Sequence, residues 1–339
     1  MNIRVAILGA SGYAGVELLR LCAVHPALRP AVVYGDSNAG QQVGALYPHL
    51  ALAYPGLTFR PTDSFDASGA DLVFSAMPHG QSQKLADRIV GPDVPWVDLG
   101  ADFRLDTAED YQRWYGEAHQ RPDLLGQFVY GLPELNREKL RTARRVAAPG
   151  CYPTSAILAL RPLVQAGLVE AKGLIVDAAS GVSGAGRAAK VETGFCTVDE
   201  NFSAYGLVNH RHTAEMEMGI GGEVLFTPHL APMNRGILAT CYATPRDGLT
   251  GEQPLEALRK AYVDEPFVHV TDSPPSTKNV LGSNAVHVTA RHDPRTGRVI
   301  AIAALDNLVK GAAGQMIQCA NLMLGLEETA GLSVCGVFP

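Results

Sequence analysis

The sequence is poor in tryptophan, with 2 in 339 residues, and poor in charge, at 18%. Its formal net charge is −6, and the lysines and arginines are scattered rather than clustered. That excludes the electrostatic footprint of a nucleic-acid binder or of a protein held to an anionic membrane surface. A small-molecule partner fits better. The six cysteines, Cys22, Cys151, Cys196, Cys241, Cys319 and Cys335, are widely spaced and form no CxxC pair. Neither a disulfide framework nor a zinc site is suggested, and a reducing compartment is. No run approaches the ~20 apolar residues of a membrane helix. The N-terminus, MNIRVAILGASG, enters a strand at once with no charged leader, so the expectation is a soluble, cytoplasmic protein. Internal repeats and low-complexity tracts are also missing.

What is present is a globular composition, 47% hydrophobic, with enough chain for two cores. Residues 3 to 8 form an apolar run ending at Gly9, and from Gly15 apolar residues recur at helical spacing as Val16, Leu18, Leu19, Cys22 and Ala23. Further apolar runs lie at 31 to 34, 70 to 80 and 94 to 103, with helical patterns between several of them. This is the signature of buried parallel strands in a doubly wound α/β sheet. After about residue 147 the texture becomes β-rich, at 222 to 244 and 284 to 307. The turn Asp293-Pro294-Arg295-Thr296-Gly297 predicts an antiparallel hairpin. The expected fold class is α/β: a Rossmann-type domain over 1–148, a second α+β domain over 149–309, and a C-terminal helical segment over 310–339. Pattern alone does not say which domain that last helix joins.

Gly9-Ala10-Ser11-Gly12-Tyr13-Ala14-Gly15 sits between the first strand and the first helix. Glycines there allow a tight turn and close backbone approach, and the helix N-terminus offers N–H groups to a pyrophosphate. Asp36, after the second strand, would ordinarily hold the ribose 2′-hydroxyl of NAD. Ser37 and Asn38 follow it and suit a 2′-phosphate instead, if Asp36 points away.

Cys151 stands in Pro149-Gly150-Cys151-Tyr152-Pro153-Thr154, directly before an apolar run. With Pro153 in the first helical position, the cysteine would lie just ahead of a helix N-terminus, where the dipole favours thiolate. A nucleophilic cysteine also needs a base. NHRHTAEME, at 209 to 217, offers His210 and His212, expected on opposite sides of an extended segment, with Glu215 or Glu217 to orient one imidazole. The alternatives are a surface turn or a metal site, for which no third ligand stands nearby. SGVSGAGR, from Ser180 to Arg187, reads as an anion-holding loop or an ordinary flexible one. Arg104, in DLGADFRL, is either a second anion partner or one end of a surface salt bridge.

Together GASGYAG, PHG (78 to 80), DLGADFRL, PGCYPT, SGVSGAGR, HRHTAE, PSTKNVLGSN (275 to 284) and DNLVKGAAGQMIQ (306 to 318) run in order over nearly the whole chain. They resemble the N-acetyl-gamma-glutamyl-phosphate reductases of arginine biosynthesis. The resemblance implies NADPH-dependent reduction of an acyl phosphate to N-acetyl-glutamate semialdehyde and inorganic phosphate, by a homo-oligomer (dimer or tetramer) related to aspartate-semialdehyde dehydrogenases. It implies that the C-terminal helix and tail, 310–339, return to the Rossmann domain, with Cys151 as nucleophile and His210 as acid/base partner, His212 being the alternative. It also implies cofactor contacts from Gly9, Ser11, Gly12, Tyr13, Ala14, Gly15, Ser37, Pro78, His79, Ser183, Gly184 and Asn307. Substrate contacts would come from Arg104, Ser180, Arg187 and His212, and no metal is expected. One departure stands out: GDSNAG lacks the arginine that many relatives carry after the second strand, so NADP(H) is expected with NAD(H) use left open.

Overall fold

The computed structural model describes residues 2–339. The chain divides into two compact units: residues up to Pro149 with Ala312–Leu332, and Gly150–Gly311 with Ser333–Pro339.

The first unit is built on a seven-stranded sheet. Its strands are β1 (Ile3–Leu8), β2 (Leu28–Tyr34), β3 (Phe59–Arg60), β4 (Leu72–Ser75), β5 (Trp96–Asp98), β6 (Val129–Tyr130) and β7 (Arg145–Ala147), in the order β3-β2-β1-β4-β5-β7-β6 and all parallel. β4 is buried throughout, as a strand covered on both faces must be. Helix α1 (Tyr13–Val24) buries Leu18, Leu19, Leu21 and Cys22. It stops at His25, which is extended because Pro26 disfavours helical geometry in the residue before it. Helices α2 (Ser82–Val90) and α3 (Ala108–Tyr115) follow β4 and β5, and α4 (Pro133–Arg141) precedes β7.

The second unit carries α5 (Cys151–Gln165), α6 (His212–Ile220), α7 (Gln253–Ala261) and a mixed sheet. Its strands are β8 (Leu174–Gly181), β9 (Ser203–Ala204), β10 (Val224–Ala231), β11 (Ile237–Ala243), β12 (Val268–Val270), β13 (Val286–Asp293) and β14 (Arg298–Leu305), ordered β12-β13-β14-β11-β8-β10-β9. β13 and β14 form a hairpin from Val286↔Leu305 to Asp293↔Arg298, closed where Asp293 accepts from Arg295 N at 3.0 Å and Thr296 Oγ1 at 2.7 Å. α5 and α6 approach closely: a β-carbon on Gly219 would come within 2.2 Å of Ile157 Cδ1.

The C-terminal segment departs from the expected single block. Val309–Ala313 is a π-helical turn leading into α8 (Gly314–Met323). α8 joins the first unit beside α4, where Arg137 Nε lies 2.8 Å from Glu328 and Gln318 donates to the same carboxylate at 2.8 Å. Residues 310, 311 and 333–339 group with the second unit instead. Backbone bonds hold the tail there: Asn284 N to Ser333 O at 2.8 Å and Val337 N to Leu281 O at 2.7 Å.

Candidate cofactor turn and thiol site

In the first unit, Gly9 has φ +74°, and a β-carbon there would meet Ala76 O at 2.4 Å. One on Gly15 would meet Gly9 O at 2.3 Å. These two glycines let the turn fold onto β4 and onto itself. Gly12 has a different part: its β-carbon would meet only Gly9 O, at 3.4 Å, so the space it faces is open. As the N-cap of α1 it brings no capping side chain. The turn therefore fits a pyrophosphate drawn to the first-turn N–H groups at Tyr13 and Ala14. Ser11 is buried, its Oγ 2.6 Å from where a β-carbon on Gly35 would stand, and it helps seat the end of β2.

Asp36 follows β2, its Oδ1 accepting from Thr62 N at 2.6 Å. Ser37 Oγ donates to Asn38 Oδ1 at 3.0 Å. Beyond β4, Asp102 accepts from Gly80 N at 2.7 Å and Gln83 N at 3.1 Å, fixing the turn that holds Pro78 and His79. The His79 ring stacks on Tyr115 at 4.4 Å, with Nδ1 3.2 Å from Asp102 and Nε2 3.1 Å from Glu117. Behind it lies fully buried Asp98, which accepts from Ser75 Oγ, from Ser82 Oγ at 2.7 Å and from Gly100 N at 3.1 Å. Burial, with the nearby Asp102 charge, pushes the Asp98 carboxyl up to about 6. Arg104 is buried and donates to Leu99 O at 2.6 Å.

In the second unit, Gly150 caps α5 with extended geometry (φ −68°, ψ 155°), and its carbonyl accepts from Thr154 N at 3.0 Å. Cys151 is thus the first residue of the helix, not a residue ahead of it. Pro153 comes third, still within the turn whose N–H groups have no helical acceptor, so its missing N–H costs nothing. The thiol consequently sits at the positive end of a 15-residue helix. Two glycines give it room. A β-carbon on Gly311 would lie 2.8 Å from Cys151 Cβ, and one on Gly150 would lie 2.5 Å from His212 Nε2. Gly150 N donates to the fully buried Glu215 at 2.9 Å, while Glu217 accepts from Val224 N at 3.2 Å.

The two histidines are not on opposite sides of an extended segment. His212 opens α6, and the turn before it folds back: His212 N donates to His210 Nδ1 at 3.2 Å and Thr213 N to His210 O at 3.0 Å. The rings come together, 4.9 Å apart, and both meet the ring of Tyr152. His210 is enclosed by Tyr152, Tyr205 and Phe226, and this burial, helped by the Arg211 charge, lowers its pKa to about 4. Tyr205 OH donates to Tyr152 OH at 3.2 Å, which in turn donates to His229 O at 3.0 Å.

The loop after β8 is tied to residue 307. Asn307 Oδ1 accepts from Gly236 N at 2.7 Å and Nδ2 donates to Ser183 Oγ at 2.9 Å, while Ser180 Oγ donates to Gly181 O at 3.0 Å. Gly184 keeps that corner small, since a β-carbon there would lie 3.0 Å from Ser180 Oγ. Arg187 follows, half-buried. Among the described residues no group of three His, Cys, Asp or Glu side chains is set to hold a metal ion.

A semialdehyde dehydrogenase NAD binding domain model matches residues 4–143, and a semialdehyde dehydrogenase dimerisation domain model matches 151–307. N-acetyl-gamma-glutamyl-phosphate reductases of Symbiobacterium thermophilum and Streptomyces coelicolor are 48% and 50% identical to this chain, over 100% of it and of each relative. The chain belongs to the N-acetyl-gamma-glutamyl-phosphate reductase family. Its fold is also that of aspartate semialdehyde dehydrogenase II from Vibrio cholerae, solved with ASA, at TM-score 0.73, 18% identity and coverage of 96% of this chain and 99% of that one. The Candida albicans aspartate semialdehyde dehydrogenase with NADP follows at TM-score 0.69, 14% identity and coverage of 95% and 98%.

Membership of the reductase family gives a context to residues that the sequence reading passed over. Gly150 and Gly311 matter through the space they leave, and Tyr205 through its bond to Tyr152. The signal for both glycines was present, as each stands inside a motif quoted for the resemblance, but a contact made by a missing side chain has no periodicity to read.

Proposed function

We propose that this chain reduces N-acetyl-gamma-glutamyl phosphate with NADPH to N-acetyl-glutamate semialdehyde and phosphate, by way of a thioester on Cys151. The observation that carries the reading is the thiol in the first turn of α5 with the His212 imidazole against the preceding residue. The Cys151 thiolate attacks the acyl carbon, a C–S bond forms, and the C–O bond to phosphate breaks. Bound NADPH supplies hydride to that acyl carbon. The thiohemiacetal oxyanion takes a proton from the neighbouring imidazolium, and on collapse the imidazole takes that proton back as the C–S bond breaks, expelling the Cys151 thiolate and releasing the aldehyde. Backbone N–H groups at the start of α5 stabilise first the thiolate and then the oxyanion.

We assign the proton transfers to His212, supported by its approach to Gly150. His210, which the family resemblance implies as the acid/base partner, is read as its neutral neighbour: a pKa lowered to about 4 makes it a weak base at neutral pH, and its Nδ1 already accepts from His212 N. The Ser180–Arg187 loop is read as the holder of anionic oxygens, with Asn307 as its brace.

The chain is further read as a homodimer through the second sheet. α5 covers one face at β11, β13 and β14, while Leu238, Thr240 and Tyr242 on the other face are only half-buried. Sedimentation at micromolar concentration checks this, a monomer being the contrary result.

The activity is tested in reverse, by following NADPH formed from NADP and N-acetyl-glutamate semialdehyde with and without phosphate. Phosphate-dependent turnover lost in Cys151→Ser is expected. A folded protein with no turnover sinks the assignment.

A further inference from the structure

The end of β2 and the whole of β3 form one hydrogen-bonded piece. Gly35 N donates to Arg60 O at 3.0 Å, Gly40 N to Phe59 O at 2.9 Å, and Phe59 N to Gln41 O at 2.9 Å. The register pairs Tyr34 with Arg60, one residue before the turn at Gly35-Asp36. Two charges stand on this piece with opposite fates. Asp36 is held by β3's end, its Oδ1 accepting from Thr62 N at 2.6 Å, so one of its two oxygens is already engaged. Arg60 is exposed, and among the described residues its guanidinium makes no ion pair and no hydrogen bond.

A dinucleotide seated on the Gly9–Gly15 turn brings its adenosine ribose to the end of β2. A guanidinium on the neighbouring strand suits the fork geometry of a phosphate monoester, which neither Ser37 nor Asn38 can match in charge. We infer that Arg60 on β3 supplies the cation for the ribose 2′-phosphate in place of an arginine after β2, and so selects NADP over NAD. Asp36 does not block it, because the Thr62 backbone draws its carboxylate aside. This assignment rests on the reading that the first unit binds a nicotinamide dinucleotide.

The test is calorimetric titration of the full chain with NADP and with NAD, for wild type, R60Q and R60K, with thermal unfolding as a check of folding. The expected result is a wild-type preference for NADP that R60Q reduces by about ten- to a hundredfold, with NAD affinity unchanged and R60K between the two. The NADP affinity of wild type should also fall more steeply with salt than that of R60Q. An NADP-to-NAD ratio unmoved by R60Q in a folded protein overturns the role of Arg60 alone. A wild-type chain that binds neither dinucleotide overturns the cofactor reading and this assignment with it.

Discussion

His212 Nε2 comes so near to Gly150 that a β-carbon on the glycine would lie 2.5 Å from it. The ring can yield only by turning about its side-chain torsions or by moving the start of α6, and either takes the imidazole from its place. Gly150→Ala should therefore displace the histidine or the thiol by about an ångström and lower kcat/KM by about a hundredfold. Steady-state rates with a thermal-unfolding control check this, and an active alanine variant would remove the need for that contact.

Gly311→Ala tests the other side of the thiol. The added methyl meets Cys151 Cβ at 2.8 Å, with Cys151 Cα and Leu305 Cδ1 each at 3.3 Å. Activity should fall by at least tenfold, and iodoacetamide should alkylate Cys151 more slowly than in wild type, which mass mapping of the labelled cysteine reads directly.

His210 should make stability depend on acid. Its folded pKa of about 4 lies below the ordinary value of 6.5, so between those values the unfolded chain binds the proton and the folded chain does not. Wild type loses stability as pH falls through that window, by at most about 3 kcal/mol. His210→Gln lacks this loss, so the difference in unfolding free energy, variant minus wild type, should rise from pH 7 to pH 4.5 in urea titrations. A constant difference would contradict the burial effect.

Asp98 has the opposite sign. Its carboxyl, raised from 3.8 to about 6, is costly to ionise in the fold, so the penalty is absent below the unfolded value and complete above the folded one. Asp98→Asn keeps an acceptor for Ser75, Ser82 and Gly100 without the charge. Its stability relative to wild type should improve by up to about 3 kcal/mol between pH 4 and pH 7, measured by the same titrations.

The doubly wound sheet and the β13–β14 hairpin were legible because buried parallel strands and turn residues leave marks that are local in sequence. The arrangement of the two histidines was not. Period-two spacing at His210 and His212 reads as an extended segment, whereas the chain turns into a helix at His212, and only the tertiary contact with Tyr152 brings both rings to one place. Cys151 was recognisable from its company of glycine and prolines, but its register in the helix slipped by two residues because Gly150, not Tyr152, is the cap. Asp36 could be seen as an acid after a strand. That Thr62, 26 residues later, takes its carboxylate depends on the β2–β3 pairing.

The order in which the chain is made meets a constraint in its last thirty residues. The first unit takes α8 from Ala312–Leu332, and nearly all of that helix is buried within it. A ribosome that has released Pro149 has therefore delivered a sheet whose final layer still lies beyond the whole of Gly150–Gly311. The nascent α/β sheet must wait, with an apolar face uncovered, until the strands and helices of Gly150–Gly311 have been made. A gene cut cleanly between the two units would leave the first one without its closing helix, and a circular permutant that begins at Ala312 would let that helix be translated before the strands it covers.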